Sequence, residues 1–303
     1  MPLAAVTGAT GFVGPHLIAA MARHGWKLRL LIRRWTPLPS LPGVDAEIVW
    51  GDLSDEANLR RLVEGADAVV HAAGVIKARR VEDFQAINRD GTARLSSMAP
   101  SIPFLLLSSL AAREPQLSPY AASKRAAEEV VARRTGPWLA VRAPAVYGPG
   151  DRETLAYFKM AARGFALQPD RSDARLSLIH VEDLAEALAL ALDRSFPSTV
   201  CEIDDGRPGG YSHRDMAAAA AGALGRRVHP LRIPQRLIGM VAALNSLRRS
   251  AQILTPAKVR ELFHPDWVAH DRSLAAATGF AARYDLPEGF RHTIWWYRAC
   301  GWL

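Results

Sequence analysis

Cysteine is almost missing from this chain: two residues, Cys201 and Cys300, among 303. That excludes a disulfide framework, and their separation excludes the close ligand spacing of a structural zinc site. No run of about 18 uncharged apolar residues occurs, so no membrane-spanning helix is expected. There is no repeat of fixed period and no low-complexity tract. The first apolar strand pattern starts at Leu3, which leaves no room for a signal peptide, so a reducing, cytoplasmic setting is expected. Basic residues are scattered rather than interleaved with aromatics, which argues against a nucleic-acid partner. What remains is ordinary globular composition, 49% hydrophobic and 22% charged, with a formal net charge of +8. The length allows one large domain or two smaller ones. The positive balance suits phosphorylated ligands or weak contact with a membrane surface.

The stretch Val6-Thr7-Gly8-Ala9-Thr10-Gly11-Phe12-Val13-Gly14 organises the rest. An apolar strand, Leu3 to Val6, runs into it, and Leu17, Ile18 and Met21 follow at helical spacing up to a stop at Gly25. Strand, glycine turn and helix together make a seat for a pyrophosphate. Gly8 permits the sharp turn, Gly11 the approach of the phosphates, and Gly14 close packing of helix on strand. Thr10, Phe12 and Val13 are the intervening candidate contacts. A second strand, Trp26 to Ile32, ends in Arg33-Arg34. An acidic residue there would bond a ribose 2′-hydroxyl and repel a 2′-phosphate, whereas arginine does the reverse, so NADP is expected over NAD. A proline-rich loop (Pro37, Pro39, Pro42) leads to a third strand, Ala46 to Trp50. Asp52 and Leu53 then fall beside the adenine. Asp52 could equally serve the following helix, Asp55 to Glu64, for which Ser54 is a plausible N-cap. Ala68 to His71 is a fourth strand, and the small residues Ala72-Ala73-Gly74 after it let the chain pass close to phosphate and ribose. His71 reads as a satisfied core histidine. Asn88, within a helical pattern from Phe84 to Met98, reads as surface or as a brace for the site.

Ile102 to Leu107 is the most apolar strand and ends in Ser108-Ser109, hydroxyls placed at a ligand crevice. Ser118 and Pro119 then open a helix, which sets Tyr120 in its first turn and Lys124 one turn further along the same face. A phenol, with an ordinary pKa of about 10, is expected to ionise more easily beside that ammonium and an oxidised nicotinamide, as acid–base catalysis needs. Ser109 would hold the reacting oxygen. In the plainer reading Lys124 pairs with Glu128 and Arg125 with Glu129, each at i,i+4.

Together these motifs resemble the extended branch of the short-chain dehydrogenase/reductase superfamily, which includes nucleotide-sugar epimerases, dehydratases and reductases. The likeness continues in Arg142-Ala143-Pro144-Ala145-Val146-Tyr147-Gly148-Pro149-Gly150 and Ile179-His180-Val181-Glu182-Asp183-Leu184-Ala185, and runs to about residue 205. It implies an α/β Rossmann fold, a doubly wound parallel sheet, with Tyr120 as proton donor or acceptor. It also implies Lys124 on the nicotinamide ribose, Ser109 on the reacting oxygen, Asn88 supporting the proton relay, and Pro144, Ala145 and Val146 lining the nicotinamide. Ser108 belongs to the same expected cofactor wall. His180-Val181-Glu182-Asp183 is read as a helix start, not a metal site. The Ser109–Tyr120 segment is shorter than in typical sugar epimerases. It is similar to atypical members such as the nucleotide-binding accessory subunit of respiratory complex I, so a non-catalytic, cofactor-bound scaffold stays open beside reductase and epimerase.

Strands are expected at Trp138 to Arg142, Leu176 to Ile179 and Thr199 to Ile203. Helices are expected at Glu153 to Arg163 and Val181 to Leu192, with 164–173 as a loop and a helical pattern from Tyr211 on. The expected division is a dinucleotide-binding domain, 1–150 plus 176–205, and a smaller, mostly helical substrate lobe, 151–175 plus 206–303. Pro234 to Arg249, rich in Leu237, Ile238, Met240, Val241, Leu244 and Leu247, reads as a core-packed helix or one resting on a membrane or greasy substrate. Aromatic residues from Phe290 to Trp302 read as packing. The expected partner is a small molecule, lipid-like or nucleotide-linked, with a homodimer as the candidate assembly.

Overall fold

A computed structural model describes the chain except residues 35, 37–42, 195–197 and 247–254, and except the side chains of residue 241 and residues 243–246. The expectations for Pro37, Pro39, Pro42, Val241, Leu244, Leu247, Arg248 and Arg249 fall outside the described atoms.

Seven strands form the main sheet: β1 (Leu3–Thr7), β2 (Lys27–Ile32), β3 (Ala46–Trp50), β4 (Ala68–His71), β5 (Phe104–Ser109), β6 (Trp138–Ala143) and Thr199–Glu202. Their order is Thr199–Glu202, β6, β5, β4, β1, β2, β3, and every pairing is parallel. A parallel sheet covered on both faces needs strands that are apolar on both sides, and all four residues of β4 are buried. Helices α1 (Gly14–Arg23) and Val181–Leu192 close one face, where Leu17, Ile18, Met21, Leu184 and Leu188 share a core with β1 and β6. The other face is closed by α2 (Glu56–Val63), Gly91–Met98 and Pro119–Val131, through Leu59, Leu62, Leu95 and Val131. Strand order reverses between β1 and β4, which opens a crevice at their carboxyl ends.

A separate core joins Tyr147, Phe158, Tyr211, Phe290, Ile294 and Tyr297, so the terminal aromatics are packing, as read, although Trp295 is exposed. Several expectations need correction. Residues 164–173 are not simply a loop: Phe165–Pro169 is a strand, paired in parallel with His229–Ile233. Both are short and each contains proline, and their hydrogen bonds come from a segment some sixty residues away that no local pattern reveals. The 84–98 helix contains a π-helical stretch, Gln85–Asp90. Asp55, not Ser54, caps α2, its carboxylate accepting from the Asn58 amide at 3.1 Å.

Candidate active site

Gly8 adopts φ +83°, and a Cβ there would lie 2.5 Å from the Ala72 carbonyl carbon. The glycine therefore lets the end of β1 pass directly over the Ala72-Ala73 backbone that follows β4. A Cβ on Gly14 would lie 2.3 and 2.4 Å from the Gly8 and Ala9 carbonyl oxygens. Gly11 differs, because its Cβ would meet only the Gly8 carbonyl oxygen, at 3.3 Å. The protein's own packing therefore demands this middle glycine less strictly than the other two. Beside it, α1 starts at Val13 with no side-chain cap and no acid in its first turn. An anion can take that place at the positive end of the helix. Gly14→Ala is expected to destabilise the fold by about 1–3 kcal/mol through overpacking. Gly11→Ala should cost little stability but weaken dinucleotide binding. Thermal melts and cofactor titration of both variants check this.

Arg33 and Arg34 are exposed just past β2. Asp52 lies at the end of the neighbouring β3, where hydrogen bonds from Ser54, and Arg33 and Arg94 nearby, pull its carboxyl below the usual range. Asp52 thus serves the turn into α2. Leu53 fills the space that a Cβ on Gly91 would occupy. Asn88 is buried and fully used. Its amide donates to the Val75 carbonyl at 3.0 Å and to Ser123 Oγ at 2.8 Å, and its carbonyl oxygen accepts from the Val75 amide at 2.8 Å. It clamps the loop that ends in Val75 to the Tyr120 helix, so of the two readings it is not a surface residue. His71 is the core histidine it was read to be: its ring nitrogens contact Thr7 Oγ1 at 2.6 Å and Thr92 Oγ1 at 2.9 Å, and burial pushes it down to about 3.

Ser118 caps the Pro119–Val131 helix, accepting from the Ala121 amide at 3.0 Å, and thereby sets Tyr120 at the helix start. Burial pushes the phenol up to about 12, opposed by the neighbouring Ser109 hydroxyl. Within the chain itself, burial outweighs the effect expected of the neighbouring ammonium. Lys124 turns its ammonium to the Leu107 carbonyl at 2.6 Å, and burial lowers it to about 8. Ser109 also accepts from the Ala111 amide at 3.2 Å. Gly74, Asn88, Lys124, Ser109 and Tyr120 are thus gathered at the carboxyl ends of β4 and β5. Ala145, within the short strand Ala145–Tyr147, is exposed, with Pro144 and Val146 half-buried on either side.

Ser108 is different. Its side chain faces Glu128, donating at 2.5 Å, because alternate residues of a strand point to opposite sides. Glu128 is almost fully buried and takes two hydrogen bonds from Arg142, at 2.9 and 2.7 Å. The plainer alternative paired Glu128 with Lys124; the structure pairs it with Arg142, while Arg125 does meet Glu129 at 3.4 Å. Arg142 is also 4.0 Å from Glu202, which lies 3.6 Å from Arg113. This network beneath the site was missed, since only the adjacency of β5, β6 and Thr199–Glu202 assembles it.

His180 caps the Val181–Leu192 helix through the Glu182 amide at 3.3 Å, as expected of a helix start. Potential ligand atoms of His180, Glu182 and His292 do lie within 4.8 Å of one another. Glu182, however, is engaged by Tyr284 at 3.0 Å and by Arg283. His180 also contacts His292 at 3.2 Å.

A parallel sheet with its crevice at a glycine turn, and a Ser–Tyr–Lys set one strand away, are the arrangement of a short-chain-type, nicotinamide-dependent enzyme. The profile of the NAD dependent epimerase/dehydratase family matches residues 4–200, and the chain belongs to that family. It is 42% identical to the ceramide reductase of Caulobacter vibrioides, over 99% of this chain and 95% of that one. It is 29% identical to the UDP-2-acetamido-2,6-beta-L-arabino-hexul-4-ose reductase of Pseudomonas aeruginosa, over 64% of this chain and 50% of that one. Among solved structures, gox2253 superposes with a TM-score of 0.80 at 22% identity, over 100% and 99% of the two chains. MoeE5 in complex with UDP-glucuronic acid and NAD superposes at 0.75 and 23%, over 99% and 100%. The fold is shared with these structures, and the chain is an NAD(P)-dependent enzyme. No described helix is long and apolar enough to cross a membrane.

Proposed function

We propose that this enzyme is an NADPH-dependent reductase that converts a ketone on a ceramide-type, long-chain lipid to a secondary alcohol. The observation carrying the reaction is the Tyr120 phenol, beside Ser109 and one helical turn from Lys124. The likeness to a ceramide reductase along nearly the whole chain supports the substrate class. When bound, the reduced nicotinamide supplies a hydride to the carbonyl carbon. Ser109 orients the carbonyl oxygen, and Tyr120, protonated at neutral pH, donates its proton to that oxygen as charge develops. Lys124 holds the ribose. Gly8, Thr10, Gly11, Phe12 and Val13 hold the pyrophosphate. Asp52 and Leu53 flank the adenine, and Ala72, Ala73, Gly74, Asn88, Pro144, Ala145 and Val146 wall the remainder. Residues 1–150 plus 176–205 form the nucleotide-binding part and the rest the substrate lobe.

Arg33 and Arg34 meet the 2′-phosphate in this reading. A hydrogen bond to a charged group contributes about 1.5–3 kcal/mol, so Arg33→Asp should weaken NADPH binding about 10- to 100-fold and NADH binding far less. Equal losses for the two cofactors would remove the NADP assignment. The activity itself is tested by NADPH oxidation with a ceramide whose backbone hydroxyl is replaced by a ketone. One mole consumed per mole of alcohol formed is the expected result. Interconversion of sugar nucleotides without net cofactor turnover would replace the reductase with an epimerase.

A further inference from the structure

Of the eleven large apolar side chains exposed among the described residues, five fall in two segments: Phe165, Leu167, Leu231, Leu237 and Met240, each 41–59% exposed. The exposure is therefore concentrated rather than scattered, which is the mark of an interaction surface. Leu167 and Leu231 are register partners in the parallel pair Phe165–Pro169 and His229–Ile233, so they share a face. Ala166, on the opposite face, is buried. The second strand continues through Pro234 into the helix Gln235–Ser246, which carries Leu237 and Met240.

Arginine surrounds this apolar set. Arg163, Arg226, Arg227, Arg232 and Arg236 are all exposed, and neither 163–169 nor 225–240 contains an acidic residue, the adjacent exposed acids being Asp170 and Asp173, which share a hollow with Arg171 and Arg236. A neutral protein partner would not call for that imbalance, whereas an anionic lipid headgroup layer would, with the apolar side chains reaching past it. The surface also leads toward the chemistry. Ile238 and Ala242 pack on Val259 and Phe263 of the next helix segment. On that segment Glu261 accepts from Ser118, and Arg260 donates to the Leu117 carbonyl at 2.9 Å, both immediately before Tyr120.

We infer that the Phe165–Pro169/His229–Ile233 strand pair and the start of the Gln235–Ser246 helix dock on an anionic bilayer, from which the lipid ketone passes to Tyr120. The route to Tyr120 rests on the reductase reading; the docking does not. Flotation of the full chain with phosphatidylglycerol/phosphatidylcholine vesicles tests it, against vesicles of phosphatidylcholine alone. Binding to the anionic vesicles should be at least about 10-fold tighter, and should fall by a similar factor between about 0.1 and 0.5 M NaCl as charges are screened. The pair Leu237→Ser/Met240→Ser should lower it about 10-fold or more, as should Arg232→Glu/Arg236→Glu, with NADPH affinity kept as the check on folding. No flotation, equal binding to both vesicle types, or binding unaffected by both variant pairs would overturn the proposal. So would a wild-type dimer that binds no vesicles and becomes monomeric in the Leu237→Ser/Met240→Ser variant, which would assign the surface to a second copy. Flotation without NADPH oxidation on the keto-lipid would sink the reductase reading and leave the docking standing.

Discussion

Tyr120→Phe is expected to lower kcat for ketone reduction by about 10²–10⁴-fold, the usual contribution of a positioned acid, with little change in NADPH affinity. The ring is kept, and with it the edge-on contact to Phe84 at 6.4 Å, so the helix start is not disturbed. Only the proton is removed. With the phenol pushed up to about 12 by burial, wild-type Tyr120 stays protonated through neutral pH, the form a reduction uses. Lys124, lowered to about 8, is the group that titrates first on the alkaline side. It is charged below that value and neutral above it. kcat/KM should therefore hold from about pH 6 to 7.5 and decline above about pH 8 as the ammonium is lost. NADPH-oxidation kinetics across this range, on wild type and Tyr120→Phe, check both statements. A variant with undiminished kcat would mean that Tyr120 is not the acid.

Glu128→Ala should be the most destabilising single change near the site, by about 3–5 kcal/mol. It removes a carboxylate that is 3% exposed, strands the guanidinium of Arg142, and leaves the Ser108 hydroxyl without its acceptor. Glu202, 4.0 Å from Arg142, is too distant to replace a bidentate pair. Glu128→Gln keeps an acceptor for Ser108 and should cost less. Denaturant midpoints of the three proteins measure this. Because Glu128 lies one turn beyond Lys124, a loss of stability below about 1 kcal/mol would show that β5, β6 and the Tyr120 helix are held by apolar packing alone.

Much of the nucleotide-binding half could be read in advance because its signals are local. The glycine spacing after a short apolar run, the Ser118-Pro119 start of the Tyr120 helix, and β3 and β4 at their predicted bounds all depend on residues within a turn or two of one another. The protonation state of Tyr120 could not be read so. An i,i+4 lysine suggests an acidified phenol, but the structure directs that ammonium to the Leu107 carbonyl and lets burial dominate. The same holds for Ser108 and Glu128, whose partner Arg142 sits on an adjacent strand.

By itself, the order of residues determined the αβ alternation, the sharp turn that only glycine tolerates at Gly8, and which side chains occupy one face of the Tyr120 helix, since backbone sterics and helical period act over a few residues. Tertiary structure alone decided which buried charges neutralise each other, that two proline-containing stretches pair as strands, and that Phe165, Leu167 and Leu231 are left uncovered by the rest of the chain. Those outcomes depend on dielectric surroundings and on hydrogen bonds between distant segments, which exist only once the chain has closed on itself.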